Sequence, residues 1–199
     1  MNAALEVVDL HKAFGRNRVL RGASLTVRSG ELVGVVGENG SGKSTLLEIL
    51  VGRVGRDAGS VQIRGRLGYC PQASLVFERL TVAENGRLFA AAYGLTDGPE
   101  RLRRLAERYR FTRWLDTLVS DVSGGTRQKL NLALALLHDP EILVLDEPYA
   151  GFDWETYLVF WEHAATLRAG GCAILVVSHL LHDRERFDRV LTLADGVLS

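Results

Sequence analysis

At 199 residues the chain can bury one substantial core, but hardly two full domains. Its 24 basic residues balance 24 acidic ones, so bulk charge gives no case for nucleic-acid binding. The apolar runs fall short of the roughly 20 residues a bilayer-spanning helix needs. No signal-peptide pattern opens the chain, and two cysteines without metal-ligand spacing, Cys70 and Cys172, read as reduced thiols of a cytosolic protein.

In chain order, Leu5 to Leu10 alternates apolar and polar residues as a half-buried strand does. His11 to Gly15 reads as a turn carrying an aromatic, Phe14, whose spacing suggests core packing, although an aromatic face can also stack on a nucleobase. Val19 to Val27 is a second strand candidate, and Glu31 to Val36 a short apolar third.

Gly37-Glu38-Asn39-Gly40-Ser41-Gly42-Lys43-Ser44-Thr45 then fits the phosphate-binding loop pattern, between that strand and a helix predicted for Thr45 to Val51. A helix start offers unpaired N–H groups and partial positive charge to an anion. Glycines let the backbone curl around it. Lys43 is placed to reach the outer phosphates, and the Ser44 hydroxyl to ligate their magnesium. Lysine is scarce here, occurring only at Lys12, Lys43 and Lys129, in a chain that otherwise uses arginine. That economy fits positions needing a compact point charge instead of a planar fork.

Gly59 to Ile63 and Leu67 to Cys70 read as further strands, closed by Pro71-Gln72. Thr81 to Glu84 is a capping-box pattern opening a helix to about Tyr93. Gly94 suits its stop, and Pro99 the first turn of another helix, to about Arg110. The arginines of that helix read as a solvated face. Residues 73 to 120 thus form a helical insertion in an α/β chain.

Ser123-Gly124-Gly125 precedes a helix predicted from Thr126 to His138. Ser123 can be a plain helix cap, or part of a second anion site made of a hydroxyl, two glycines and free N–H groups; the spacing leaves both open. Ile142 to Leu145 is a buried-strand run ending in Asp146 and Glu147. Carboxylates there are costly unless a metal compensates them, and parallel sheets bind ligands at this strand end. Asp146 reads as a magnesium partner and Glu147 as the base for water. Trp154 to Ala169 is a helix and Ala173 to Val177 a buried strand. Ser178-His179 ends that strand at the same edge as the acids. Arg189 to Leu193 is a last strand before a tight turn at Asp195-Gly196.

Taken together, these residues resemble the ATP-binding cassette (ABC) ATPase family over almost the whole chain. Phe14 falls at the family's adenine-stacking aromatic, Gly37 to Thr45 at Walker A, and Gln72 at the Q-loop glutamine. Ser123-Gly124-Gly125 matches the heart of the signature, Asp146-Glu147 the end of Walker B, Asp153 the D-loop aspartate and His179 the switch histidine, all in the family's order. The resemblance implies an α/β fold: a P-loop NTPase core with a mixed, mainly parallel sheet, a small antiparallel β subdomain and a helical insertion. It implies one domain over residues 1–199, with 1–72 and 121–199 forming the core and β subdomain, and 73–120 the helical subdomain.

Site expectations follow residue by residue. Lys43 and Mg²⁺ would neutralise ATP phosphates, Ser44, Gln72 and Asp146 would attend the metal, Glu147 would serve as base and His179 would contact the γ-phosphate. ATP is completed, on the family pattern, by Ser123 to Gly125 of a second copy or a paralogue. The signature departs from Leu-Ser-Gly-Gly-Gln at Val122 and Thr126, and the adenine aromatic is more often Tyr than Phe. Leu80 to Asn85 resembles stand-alone subunits serving export-type permeases.

The implied function is a cytoplasmic ATPase, peripheral to the membrane, that drives a separate integral membrane permease. The alternative is a soluble non-transport ATPase of the same superfamily. The short stretch between Lys43 and Ser123 argues against the DNA-maintenance type, and the single cassette against the translation type. A binding switch without hydrolysis is disfavoured by Glu147 and His179.

Overall fold

In a computed structural model, residues 3–179 and 183–199 are described. The chain folds as β1 (Ala3–Phe14), β2 (Asn17–Arg28), β3 (Leu32–Val36), α1 (Lys43–Leu50), β4 (Ala58–Ile63) and β5 (Leu67–Cys70). There follow α2 (Val82–Ala92), α3 (Gly98–Arg108), α4 (Gly124–Leu136), β6 (Ile142–Asp146), α5 (Trp154–Ala169), β7 (Ala173–Ser178), β8 (Arg189–Ala194) and β9 (Val197–Leu198).

Six strands form one sheet in the order β5-β6-β7-β3-β8-β9, parallel throughout except for the β8–β9 pair. A separate antiparallel sheet has the order β2-β1-β4. This is the predicted fold class: a mixed, mainly parallel sheet, a small antiparallel sheet, and helices between β5 and β6.

Strand periodicity explains the layering. Leu143, Leu145, Ile174 and Val176 face a core built with α2 to α5. Their alternates Ile142, Val144, Ala173, Leu175 and Val177 face a second core with α1 and the antiparallel sheet. A sheet covered on both faces needs apolar residues at every position, hence the unbroken runs in β6 and β7. All backbone groups that matter for ligands are thereby pushed to the strand ends.

Two readings need correction. Residues 11 to 14 are strand, not turn: β1 runs on to Phe14, and the reversal comes at Gly15, in the left-handed region at φ 62°. Alternation breaks at Asp9, which takes φ 50° in a bulge and so hides the continuation. Asp57 then anchors the second half, its carboxylate accepting from the Ala13 N–H and from Lys12 Nζ. The helix predicted from Thr126 starts two residues earlier, directly after the Ser123 cap. Among the described residues no helix is long and apolar enough to cross a membrane.

Candidate functional site

The site grows from the carboxyl ends of three neighbouring strands. β6, β7 and β3 lie side by side, so Asp146 and Glu147, Ser178 and His179, and Gly37 all emerge on one edge. α1 begins just beyond the loop with Gly42 at its N-cap (φ 107°) and no side chain capping it. Its first N–H groups therefore remain for a ligand. A side chain at Gly37 would lie 2.4 Å from the Leu193 carbonyl and 2.6 Å from Ser41 Oγ, so the loop closes against β8 only because that residue is bare. Ser41 Oγ is buried without a hydrogen-bond partner. Lys43 arches back across the loop, donating to the carbonyls of Gly37 (2.6 Å) and Glu38 (2.9 Å).

Beside the loop lies a cleft of ≈ 920 Å³ lined by Gly37 to Ser41, Arg18, Arg184 and His179. Its size suits a ligand as large as a nucleotide.

The two carboxylates of β6 have different settings. Burial, then the Glu147 charge, pushes Asp146 up to about 6, while the Gln72 backbone N–H and the Lys43 ammonium pull the other way. A carboxylate poised this way gains from a cation placed against it. Glu147 sits at φ 48°, its N–H donating to the Val177 carbonyl at 2.9 Å. Its carboxylate accepts from Ser178 Oγ (2.7 Å) and the His179 N–H (2.6 Å), and His179 Nδ1 lies 2.6 Å away. An ionised carboxylate has about four acceptor positions. Among the described residues three are engaged, which leaves one for a water. The Glu147 side chain is 12% exposed and that of His179 67%, so the histidine bridges a buried acid and the open cleft.

Other predicted residues lie apart. Phe14 is exposed at the tip of the β1–β2 hairpin with Lys12 Nζ 5.2 Å from its ring centre. The core reading of Phe14 therefore fails, and the cleft takes Asn17 and Arg18 from that hairpin but not Phe14 itself. Gln72 meets Asp146 through its backbone N–H, and the residue is exposed. Ser123 caps α4, its Oγ accepting from the Thr126 N–H at 3.2 Å. Thr126, which departs from the family signature, is buried, and its hydroxyl lies 3.1 Å from that of Ser123. Gly124 is exposed. Gly125 packs so closely on the Gly151 carbonyl that a Cβ would come within 2.7 Å of it. None of Ser123 to Gly125 lines the phosphate-loop cleft of its own chain.

Asp153 caps α5, accepting from the Thr156 N–H at 2.7 Å, and Lys129 Nζ lies 3.3 Å from its other oxygen. The Thr156 bond, with the lysine's help, brings the Asp153 carboxyl down to about 2. Asp153 ahead of the helix is also a cap signal in the sequence. Ser178 was passed over as a site residue. Its position at a strand end beside His179 was the available signal.

Magnesium fits the donors present. Asp146 carboxylate, Ser44 hydroxyl and Gln72 amide are hard oxygen donors. Among the described residues no group of three His, Cys, Asp or Glu could cage a metal alone.

Comparison with known proteins agrees with this fold. Residues 20–150 match the family model described as ABC transporter. The chain is 34% identical to Nod factor export ATP-binding protein I of Burkholderia lata, over 98% of this chain and 69% of that one. It is 35% identical to the protein of the same name from Ralstonia nicotianae, over 96% of this chain and 64% of that one. A solved ATP-binding subunit of an ABC transporter superposes with a TM-score of 0.91 at 31% identity, covering 98% of this chain and 88% of that one. A dimeric bacterial ABC transporter cassette shares the fold, with a TM-score of 0.90 at 23% identity and coverage of 98% and 96%. The chain belongs to the ABC transporter family, as an ATP-binding, ATP-hydrolysing subunit.

Proposed function

We propose that this subunit binds Mg-ATP at the phosphate loop and hydrolyses it to drive a separate membrane permease of the export type, from the cytoplasmic face. The observation that carries the reading is the convergence of Lys43, Asp146, Glu147 and His179 at the carboxyl edge of β3, β6 and β7. The Nod factor export relatives support the export direction.

Hydrolysis of this kind asks for positioning and charge stabilisation more than covalent chemistry from the protein. Lys43 exchanges its two loop carbonyls for phosphate oxygens. Ser44, Asp146 and Gln72 would hold Mg²⁺, which when bound would neutralise phosphate charge. Glu147 uses its remaining acceptor position to orient the water and take its proton. His179, donating from Nδ1 to Glu147, turns its other nitrogen toward the cleft and the γ-phosphate. Phe14 offers its exposed ring to the adenine, and Asp153 faces the second copy. Ser123, Gly124 and Gly125 serve the ATP of a second copy, so the active unit is a dimer.

Titration of purified protein with ATP tests the assignment. Lys43→Ala is expected to lose ATP binding while keeping its fold; wild-type affinity in that variant would overturn the phosphate-loop reading.

A further inference from the structure

α4 carries a buried polar edge that its length of apolar neighbours does not explain. Gln128, Lys129 and Asn131 are 6%, 9% and 3% exposed among Leu130, Leu132 and Ala133. Burying such groups is costly unless each is bonded, so their bonds are informative.

Gly125, Gln128 and Lys129 are spaced i, i+3, i+4 and share one face of the helix. That face lies on the segment after Glu147. Gln128 Nε2 donates to the Pro148 carbonyl at 3.2 Å, Lys129 Nζ to Asp153 at 3.3 Å, and Gly125 lies against the Gly151 carbonyl. Asn131, three residues beyond Gln128, holds the other side: its Nδ2 donates to the Pro71 carbonyl at 2.8 Å, and its Oδ1 accepts from the Leu75 N–H at 3.5 Å. Pro148 directly follows Glu147, and Pro71 directly precedes Gln72, whose N–H reaches Asp146.

We propose that Gln128, Lys129 and Asn131 are positioning residues for ATP hydrolysis. They form a clamp by which the helix bearing Ser123 sets the backbone that presents Asp146 and Glu147. None of the three lines the phosphate-loop cleft. The clamp transmits the seating of Ser123 against a second copy's ATP to the carboxylates of its own chain. This inference rests on the proposed roles of Asp146 and Glu147.

Steady-state ATPase kinetics and ATP titration of Gln128→Met, Lys129→Met and Lys129→Arg test it, with Lys43→Ala alongside. The methionine variants are expected to lose roughly ten- to a hundredfold in kcat, the scale of a small misplacement of catalytic groups, with KM and ATP affinity unchanged. Lys129→Arg, which keeps the charge opposite Asp153, is expected to recover most of the rate. Wild-type kcat in both methionine variants overturns the clamp, as does a loss in kcat matched by weaker ATP binding. An arginine variant as slow as Lys129→Met overturns the role of Lys129. Gln128→Met removes no charge and keeps the test available should Lys129→Met fail to fold. Lost ATP binding in Lys43→Ala together with full rates in the clamp variants would sink this inference and leave the phosphate-loop reading standing.

Discussion

At the scale of single residues, Glu147 is held more tightly than a surface acid needs to be. Its oxygens are engaged by Ser178 and His179, and its backbone takes a left-handed conformation that a non-glycine residue adopts at some cost. Glu147→Gln keeps the shape and removes the charge that accepts a proton. The expected outcome is a protein that binds ATP and pairs with a second copy but turns over about 10²- to 10⁴-fold more slowly, the usual worth of a general base. Single-turnover hydrolysis and size-exclusion chromatography with ATP would measure both halves. Wild-type turnover would remove Glu147 as the base.

At the scale of elements, α5 and the end of α3 are joined by one buried polar pair, Tyr109 Oη and His163 Nδ1 at 2.9 Å. Burial, aided by the Arg108 charge, brings His163 down to about 4 from 6.5. In the window between those values the unfolded chain binds the proton and the folded chain does not. Stability is therefore full above 6.5 and falls as pH drops toward 4, by on the order of 3 kcal/mol. His163→Gln keeps a partner for Tyr109 without a titrating ring. Thermal melts across that window should show the wild type losing Tm faster than the variant; parallel curves would mean that the pair does not govern acid sensitivity.

Local signals of this kind decide what was legible. The Thr81–Glu84 capping box, with both reciprocal bonds formed, and the α5 limits follow from side chains acting within one turn. The unbroken apolar runs of β6 and β7 announced a sheet covered on both faces. What was not legible depends on partners distant in sequence. β1 passes through its Asp9 bulge because β2, β4 and Asp57 hold it. Thr126 looked like a lost glutamine, yet it is a buried partner of Ser123. The carboxylates and His179 are readable as strand-end residues, whereas the polar contacts of α4 with Pro71, Pro148 and Asp153 join segments distant in sequence.

On the scale of the whole molecule, the phosphate loop and Ser123 lie apart, and Ser123 does not line the cleft beside the loop. Ser123 to Gly125 stand exposed or partly exposed and outside the phosphate-loop cleft, which leaves them open to the second copy proposed above. The proposed dimer makes a sharp demand. Lys43→Ala spoils a copy's loop and spares its signature. Ser123→Asp spoils the signature by putting negative charge where phosphate must come, yet keeps a strong helix cap, so α4 should still fold. Each variant alone is expected to be inactive. Mixed together they exchange into dimers in which an intact loop meets an intact signature, and ATPase activity returns to a fraction of wild type that grows with total protein concentration. If each chain hydrolysed ATP alone, the mixture would stay as inactive as its components. Measuring phosphate release across a mixing series separates the two cases, because only a site shared between copies can be rebuilt from two broken ones.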